Sequence, residues 1–403
     1  MDPELRTSIY AIEAACAQLC SLIARPSDAL ANKFFSFYEP ACIRIALENK
    51  IPDILDETPS GVHISELERR TGVDGGKLGR ILHLLAAKHV FQEVSADTRP
   101  FANNYLSRHL MSNNPMSSFS LHVTDECFKA ASSLSDALNN PALTPSTSPS
   151  DAAFAKFFDI NGSLFDYFGG SSPKQKKRAS RFGVGMMGWD NVVEASAVIN
   201  GKFRSIFSMG SPSRRNYCSY PTLRLILQDF PHQLKIAKEE VWPERCPEAI
   251  SNNRIEFIPL DFFKGPPKQD CDIYLLKNVL HDWSDGDCIK ILKNVKKAMG
   301  TSSRILIHEC IVRPGYRIPK EEAKFIQAPE PLLPNYGEAR IRQYTVDISM
   351  MAVLNAKERT LEDFITLGET AGLQFVKLWE AGELALVEFV PLQRVDDEVV
   401  SDP

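Results

Sequence analysis

The chain has 403 residues, of which 44% are hydrophobic and 24% are charged, and its formal net charge is −5. This composition is typical of a globular protein and excludes a disordered chain, which carries more charge and fewer apolar residues. The net negative charge argues against binding to nucleic acid or to an anionic membrane surface. At about 100–200 residues per domain, the length predicts two or three domains.

The N-terminus and the cysteines favour a protein of the reducing cytoplasm. No uncharged apolar run is long enough to span a membrane, and the acidic N-terminal residues lack the basic start of a signal peptide. The nine cysteines are scattered and form no CxxC pair, which predicts neither disulfides nor a zinc site. His308-Glu309 lacks the second histidine of a zinc protease, so we expect no bound metal.

The first half of the chain is predicted to be helical. Apolar residues recur at helical spacing over residues 4–24 and 36–58. Residues 63–94 predict a short helix, a glycine turn, a longer helix and a strand, which is the order of elements in a winged helix. The longer helix, residues 77–88, is too apolar to lie in the charged groove of DNA, so we expect it to pack against a protein surface.

The second half alternates short apolar strands with helices. A stretch rich in Ser, Pro and Asn, residues 130–152, predicts a loop between the halves. The strands that follow, such as TLRLILQD, NRIEFIPLD and SSRILIHECIV, predict a mostly parallel sheet with both faces covered and a closing hairpin. We therefore expect an α/β domain over residues 152–392, preceded by a helical, winged-helix-like domain over residues 1–129.

A glycine motif in the middle of the chain matches the residue spacing of a nucleotide-binding fingerprint but not its structural context. Gly183, Gly185 and Gly188 fit G-x-G-x-x-G, but that fingerprint must follow a strand and begin a helix. Here a basic helical stretch precedes the glycines. The sequence therefore favours glycines in a packed helix.

A histidine after an apolar strand is the strongest sign of catalysis. His281 follows the strand in LKNVLHDWSD, where open α/β sheets bind their ligands. Glu309 ends the next apolar strand, at the same edge of the sheet, and Glu358 lies in a polar turn before a helix. Because a carboxylate can orient an imidazole and stabilise its charged form, this set predicts a base that deprotonates a hydroxyl group.

Two acids at earlier strand ends predict a nucleoside site. Asp229 ends LRLILQD, where doubly wound folds place an acid that binds ribose hydroxyls. Asp261 ends RIEFIPLD and precedes Phe262 and Phe263. An acid beside aromatic rings can accept a hydrogen bond from an adenine amine while the rings contact the base.

These motifs resemble those of a known family. The chain is similar to the class II, caffeic-acid-type O-methyltransferases that depend on S-adenosylmethionine, and in particular to fungal members that act in secondary metabolism. The resemblance covers about residues 30–390 and rests on QDFPH, LDFF, LKNVLHDWSD, IHE and KERT. It implies a Rossmann-like methyltransferase domain, a winged-helix dimerisation domain, a homodimer and a hydroxylated small-molecule acceptor.

The resemblance also implies roles for individual residues. His281 is the expected general base, oriented by Glu309 and Glu358. Asp229 is expected to bind the ribose of the cofactor, and Asp261 with Phe262 the adenine. The remaining implied contacts are Lys277 with the methionine end of the cofactor, Trp283 in the wall of that site, and Met186, Met187 and Trp189 with the acceptor.

One part of the family pattern is missing. The family has a first strand that ends in an acid and a glycine-rich loop, whereas residues 206–210 here read IFSMG and retain only Gly210. Glycines let the backbone pass close to the cofactor, so their replacement predicts weak or blocked cofactor binding. We also expect the central strand of the sheet to be lost, with residues 203–207 as a candidate substitute.

Three explanations of this departure stay open. A gene-model or splicing error over residues 202–220 would leave an ordinary methyltransferase, and an unusual loop could leave a working one. The third explanation is a different reaction on the same scaffold. We interpret the chain as a homodimeric O-methyltransferase acting on a hydroxylated aromatic or polyketide-like molecule. The alternatives are a methyltransferase-like pericyclase or dehydratase, and a catalytically inactive dimerising homologue.

Overall fold

The structure is a computed structural model that describes residues 3–95, 100–193, 205–209 and 223–392. The chain divides by its contacts into two compact units. One, here called the helical unit, comprises residues 16–192 and 351–355. The other, here called the sheet unit, comprises residues 1–15, 193–350 and 356–403.

The first helices and a small sheet confirm the winged-helix pattern. The sheet has strands β1 (Val62–His63), β2 (Phe91–Glu93) and β3 (Pro100–Asn103), which pair in the antiparallel order β1-β3-β2. The helices up to this point are α1 (Pro3–Ile23), α2 (Pro26–Phe35), α3 (Tyr38–Glu48), α4 (Ile51–Asp56), α5 (Ile64–Thr71) and α6 (Gly75–Ala87). Gly72 ends α5 in the left-handed conformation, and the Asp74 side chain caps α6 by accepting from the Lys77 amide.

The core of this winged helix is built from the apolar face of α6. Leu78, Leu82 and Leu85 are buried together with Phe91 and Phe101 of the small sheet. The prediction that the helix is too apolar for a charged groove is consistent with this burial, because its leucines form the core of the helical unit.

Further helices follow, and two of them, α8 and α9, correct the prediction of a loop at residues 130–152. The helices are α7 (Pro115–His122), α8 (Phe128–Ser132), α9 (Leu134–Leu138), α10 (Ala153–Phe158), α11 (Leu164–Phe168) and α12 (Pro173–Val192). The predicted loop at residues 130–152 contains the end of α8 and all of α9. Its composition hid these short helices because they have only five residues each, too few to show a helical period.

The glycine motif lies inside α12 and packs against α7. A methyl group added at Gly188 would lie 2.7 Å from the Pro115 carbonyl oxygen, and one at Gly185 would lie 3.0 Å from the Phe119 backbone. A methyl group at Gly183 would meet no atom within 4 Å. The prediction of a packed helix is confirmed, since two of the three glycines allow the backbones to approach closely.

Among the described residues, the sheet unit has seven strands in the order β6-β5-β4-β7-β8-β10-β9. They are β4 (Ser205–Met209), β5 (Arg224–Asp229), β6 (Ile255–Pro259), β7 (Ile273–Lys277), β8 (Arg304–Glu309), β9 (Leu373–Ala381) and β10 (Leu384–Pro391). Strands β4 to β8 pair in parallel, whereas β9 and β10 form the predicted antiparallel hairpin. Its helices are α13 (Pro231–Ile236), α14 (Trp242–Arg245), α15 (Pro247–Ser251), α16 (Asp285–Ala298), α17 (Arg342–Leu354) and α18 (Leu361–Thr370).

The expectation that the central strand is lost was wrong. Residues 205–209 form β4, which pairs in parallel with β5 on one side and β7 on the other. The substitute strand therefore exists and begins two residues later than the candidate at 203–207. β4 can occupy the centre of the sheet because the backbone N–H and C=O groups of β5 and β7 each need hydrogen-bond partners on that side.

The core of the sheet unit lies between the sheet and helices α16 and α18. Buried residues of α16, such as Ile291 and Val295, belong to one hydrophobic cluster with Ile305 and Ile307 of β8. Phe364 of α18 and Phe389 of β10 belong to the same cluster. This packing fixes the positions of the strand ends that carry the candidate site. The domain bounds 1–129 and 152–392 stay a prediction, and residues 153–192 lie in the helical unit by their contacts.

Candidate active site

Four of the predicted site residues lie at the carboxyl ends of parallel strands. Asp229 is the last residue of β5, Lys277 of β7 and Glu309 of β8. Asp261 follows β6 after one intervening residue. Because parallel strands direct these ends to one edge, the structure gathers the four residues along that edge.

His281 lies in a short turn just after β7 and contacts three carboxylates. Its Nδ1 lies 2.8 Å from Glu358 Oε1 and 3.8 Å from Glu309 Oε2. Its Nε2 lies 3.5 Å from Asp282 Oδ1. The structure thus brings together the predicted histidine and both predicted carboxylates, and it adds Asp282.

Glu309 is held rigidly by the turn that carries the histidine. The backbone amides of Val279 and Leu280 each donate to Glu309 Oε1 at 2.8 Å. The Glu309 side chain is completely buried, and among the described residues its Oε2 has no hydrogen-bond partner. Glu309 therefore fixes the His281 turn through the backbone and also places a negative charge close to the imidazole.

The charges of this cluster depend on one another. Burial opposes a charge on His281, but the carboxylates of Glu358, Glu309 and Asp282 outweigh it and hold the pKa of the imidazole well above its usual 6.5. Burial, with a contribution from Glu358, raises the pKa of Glu309 to about 7. Burial also raises the pKa of Asp282 to about 6. The site therefore binds protons tightly around neutral pH.

Arg359 is a residue of this site that the sequence did not reveal. Its guanidinium is completely buried and donates to the carbonyl oxygens of Leu280 and Trp283, each at 2.8 Å. It also contacts Asp285 Oδ1 at 3.0 and 2.8 Å. Arg359 thus joins the segment after Glu358 to the turn that contains His281. Its position next to Glu358 in KERT was the only available signal.

The same cluster has the composition of a metal site. One ligand atom each from His281, Glu309 and Glu358 all lie within 4.8 Å of one another. His281 Nδ1 lies within 4 Å of both Glu358 and Glu309, so a metal ion held by this nitrogen would compete with its hydrogen bond to Glu358. The same arrangement of His281 and its carboxylates is equally suited to sharing a proton as to binding a metal ion.

The predicted nucleoside residues lie close to an aromatic cluster. Phe263 and Trp283 rings meet edge to face at 4.8 Å, and Phe262 and Trp283 rings at 5.9 Å. Burial raises the pKa of Asp229, whose Oδ1 accepts the Phe230 amide at 2.7 Å. Asp229 is half-buried, and its contact with a ribose, like that of Asp261 and Phe262 with an adenine ring, stays a prediction.

The other residues predicted to bind the cofactor, Asp261, Lys277 and Gly210, differ in their surroundings. Asp261 pairs with Lys264 at 2.9 Å and accepts the Phe263 amide at 3.1 Å. Lys277 is buried and pairs in register with His308. Burial and then the charge of Lys277 lower the pKa of His308 to about 3, so this histidine is neutral. Gly210 lies outside the described residues.

The predicted acceptor residues belong to the helical unit. Met186, Met187 and Trp189 lie on α12, and the Trp189 ring stacks on Phe119 at 5.3 Å. Their proposed contact with an acceptor stays a prediction.

Comparison with known proteins assigns the chain to a family. The model of an O-methyltransferase domain matches residues 208–374, and the model of an O-methyltransferase dimerisation domain matches residues 32–113. The chain belongs to the O-methyltransferase family. Its enzymes are methyltransferases that use S-adenosylmethionine, and the match to the methyltransferase domain begins within β4. No described helix has the length and apolarity needed to cross a membrane.

Fungal relatives of the chain are named as O-methyltransferases. The chain is 41% identical to 3-O-methyltransferase 2 of Phanerochaete chrysosporium over 96% of its own length and 87% of the relative's. It is 31% identical to the O-methyltransferase gedA of Aspergillus terreus, with the same coverage. Both relatives are fungal, as the sequence resemblance implied.

Solved structures confirm the fold. A complex of LepI with S-adenosylmethionine has a TM-score of 0.73 at 21% identity, covering 94% of this chain and 93% of that one. A structure described as a pericyclic reaction enzyme has a TM-score of 0.72 at 21% identity, with the same coverage. LaPhzM has a TM-score of 0.71 at 23% identity, covering 91% of this chain and all of that one. The predicted fold class is therefore confirmed.

Proposed function

We propose that the chain transfers a methyl group to an aromatic hydroxyl, with His281 as the general base. The observation that carries this proposal is the contact between His281 Nδ1 and Glu358 at 2.8 Å. With Nδ1 bound to a carboxylate, Nε2 is the nitrogen left to accept a proton from an acceptor. A phenol has a pKa of about 10, so removal of its proton makes the oxygen a better nucleophile. Because the carboxylates hold the pKa of His281 well above 6.5, the imidazole acts as a base on the alkaline side of its usual range.

The carboxylates around His281 stabilise the product of this proton transfer. When Nε2 takes the hydroxyl proton, the imidazole becomes positively charged between Glu358 and Glu309. Both carboxylates are buried, so they are attracted to that charge in surroundings where water screens little. S-adenosylmethionine, when bound, supplies the methyl group that the deprotonated oxygen attacks.

The residues at the strand ends are proposed to hold the cofactor. Asp229 would accept hydrogen bonds from the ribose hydroxyls, and Asp261 with Phe262 would contact the adenine. Trp283 would close the wall of the site, and Lys277 would lie near the methionine end. Gly210 would contribute the backbone next to the cofactor.

For the acceptor, we propose a hydroxylated aromatic small molecule methylated at its 3-hydroxyl. The support is the 41% identity to a protein named 3-O-methyltransferase 2. Met186, Met187 and Trp189 are proposed to contact this acceptor, because two thioethers and an indole suit an aromatic ring. The dimerisation domain at residues 32–113 supports a homodimer as the working state.

The test uses the purified full-length chain and S-adenosylmethionine with an isotope-labelled methyl group. Two isomeric acceptors are compared, 3-hydroxy-4-methoxybenzaldehyde and 4-hydroxy-3-methoxybenzaldehyde, and labelled product is measured by mass spectrometry. We expect label on the 3-hydroxyl isomer and loss of labelling in His281→Gln. Equal labelling of both isomers would contradict the 3-hydroxyl assignment.

Calorimetry with S-adenosylhomocysteine tests the cofactor separately. A dissociation constant of tens of micromolar or below would show that β4 and Gly210 tolerate the cofactor without the glycine-rich loop. Absence of binding would contradict methyl transfer by this chain and would favour an inactive or non-methylating homologue.

A further inference from the structure

A large cavity lies in the sheet unit and is lined in part by charged side chains. Its volume is about 1730 Å³, and its apolar floor includes Ile273, Leu306 and Leu386. Ile273 is the first residue of β7, whereas His281 follows the last residue of that strand. Arg313, which also lines the cavity, follows Glu309 by four positions, but none of the residues assigned above to the methyl-transfer site is among the described residues of the lining.

The walls of this cavity are strongly cationic. Eight arginines and lysines line it, against two carboxylates, Glu380 and Glu388. Both carboxylates are already paired, Glu380 with Arg313 at 3.1 Å and Glu388 with Arg304. The lining thus has an excess of positive charge even though the net charge of the whole chain is −5.

Arg340 is a buried cation of this lining. Among the described residues its guanidinium lies within ion-pair distance of no carboxylate. Its one hydrogen bond is to the backbone oxygen of Glu383 at 3.3 Å, and its Nε has no partner in the described part of the chain. It lies over the Tyr10 ring, 5.5 Å from the centroid. A buried guanidinium without a counter-charge lowers the stability of the folded protein, because its desolvation is not offset by an ion pair.

Arg313 lines the same cavity and, unlike Arg340, has a carboxylate partner, Glu380. It is buried, and within the described ranges its Nε also has no partner. Burial, and then the charge of Arg340, lower the pKa of Arg313 to about 10. Two buried guanidinium groups therefore repel each other at the wall of a cavity, with one carboxylate, Glu380, close to Arg313.

We propose that this cavity is a binding site for an organic anion, whose carboxylate or phosphate pairs with Arg340 and Arg313 while its apolar body lies on the floor of Ile273, Leu306 and Leu386. An anionic group supplies the missing counter-charge, and hydrogen bonds between charged partners are the strong ones. The apolar floor selects an aromatic or alkyl body over a small inorganic ion.

The test measures binding to the full-length protein by calorimetry with three probes, 2-naphthoate, 2-naphthamide and inorganic phosphate. Naphthoate and naphthamide share one ring system and differ in charge. We expect naphthamide and phosphate each to bind at least about tenfold more weakly than naphthoate. Equal binding of naphthoate and naphthamide would overturn the role of charge, and equal binding of naphthoate and phosphate would overturn the role of the floor.

Variants locate the site. Arg340→Gln is expected to weaken naphthoate binding at least about tenfold and to leave naphthamide binding unchanged. The control Arg69→Gln removes an exposed arginine of α5 and should bind naphthoate like the unaltered protein. Unchanged naphthoate binding in Arg340→Gln would overturn the proposal. Should that variant not fold, Arg340→Met replaces it, because an apolar side chain removes the buried charge.

A control is also needed for binding of naphthoate at the proposed acceptor site. Naphthoate binding is therefore measured again in His281→Gln. We expect it to be unchanged, and a loss of binding in this variant would assign the naphthoate to the active site and contradict the proposal.

Discussion

The imidazole of His281 and the carboxylate of Glu358 meet at 2.8 Å, although 77 positions separate them in the chain. Glu358 itself is held by its backbone amide, which donates to Asp347 Oδ1 at 2.9 Å. Among the described residues its second oxygen has no hydrogen-bond partner. The histidine is thus oriented by one carboxylate oxygen, and this contact determines which ring nitrogen faces an acceptor.

Replacing Glu358 should change the pH dependence of the reaction. His281 acts as a base only when it is deprotonated, and Glu358 is the foremost of the carboxylates that raise its pKa. In Glu358→Gln the pKa of His281 falls, so the acidic limb of kcat/KM should move to lower pH. The rate at the optimum should also fall, because the imidazole is oriented less firmly.

The pH profile of kcat/KM measures this change, and Glu362→Gln is the matched control. Glu362 is an exposed acid four residues along the chain, so its removal should leave the limb in place. An acidic limb that stays at the same pH in Glu358→Gln would show that this carboxylate does not set the pKa of the base.

Arg359→Met should destabilise the protein and slow the reaction together. The change leaves the carbonyl oxygens of Leu280 and Trp283 without their guanidinium donor. The Leu280 oxygen keeps the Trp283 amide at 3.2 Å, so the loss is that of hydrogen bonds from a charged donor. Such bonds contribute about 1.5–3 kcal/mol each, so unfolding in urea should show a loss of about 3 kcal/mol. Because the same donor holds the His281 turn, kcat should fall as well. A variant of unaltered stability and kcat would show that Arg359 does not position the turn.

Replacing a glycine of α12 by alanine should have opposite effects on the free energy of unfolding at Gly188 and at Gly183. Gly188→Ala should lower the free energy of unfolding by about 1–3 kcal/mol, because the new methyl group meets the Pro115 backbone at 2.7 Å. Gly183→Ala should raise it by about 0.5–1 kcal/mol, because the added methyl group meets no atom and alanine favours the helix. Thermal or urea unfolding checks both. Equal effects of the two substitutions would contradict the packing role of the motif.

The sequence predicted which residues neighbouring strands bring together, whereas their catalytic roles stay a proposal. His281 and Glu309 follow neighbouring apolar strands, so their common edge could be expected from strand alternation alone. Glu358 was grouped with them because it lies in a polar turn before a helix, and the family resemblance implied the same role. Arg359 could not be found in this way, because its donors reach two backbone oxygens and the side chain of Asp285, which lies 74 positions earlier.

The central strand shows a limit of sequence comparison. Residues 206–209 have lost the family's glycine-rich pattern, yet β4 occupies the middle of the sheet. Strand pairing is made by backbone groups, so it tolerates side chains that a motif does not. Loss of the motif therefore bears on cofactor binding, and it gave no information about the fold.

A chelator should leave methyl transfer unchanged. Although His281, Glu309 and Glu358 could hold a metal ion, the proposed reaction needs Nδ1 for the hydrogen bond to Glu358. Excess EDTA is expected to have no effect on kcat, whereas added Zn²⁺ should inhibit by competing for this nitrogen. A loss of activity in EDTA that Mg²⁺ or Zn²⁺ restores would require a metal-dependent mechanism.

The most direct test of the account is the rate of labelled methyl transfer by His281→Gln, with S-adenosylhomocysteine affinity measured on the same sample. Glutamine can form hydrogen bonds but cannot take up the hydroxyl proton, so we predict a loss of at least about a hundredfold in kcat with cofactor affinity unchanged. A variant that keeps the cofactor affinity and the full methyl-transfer rate would contradict the assignment of His281 as the base.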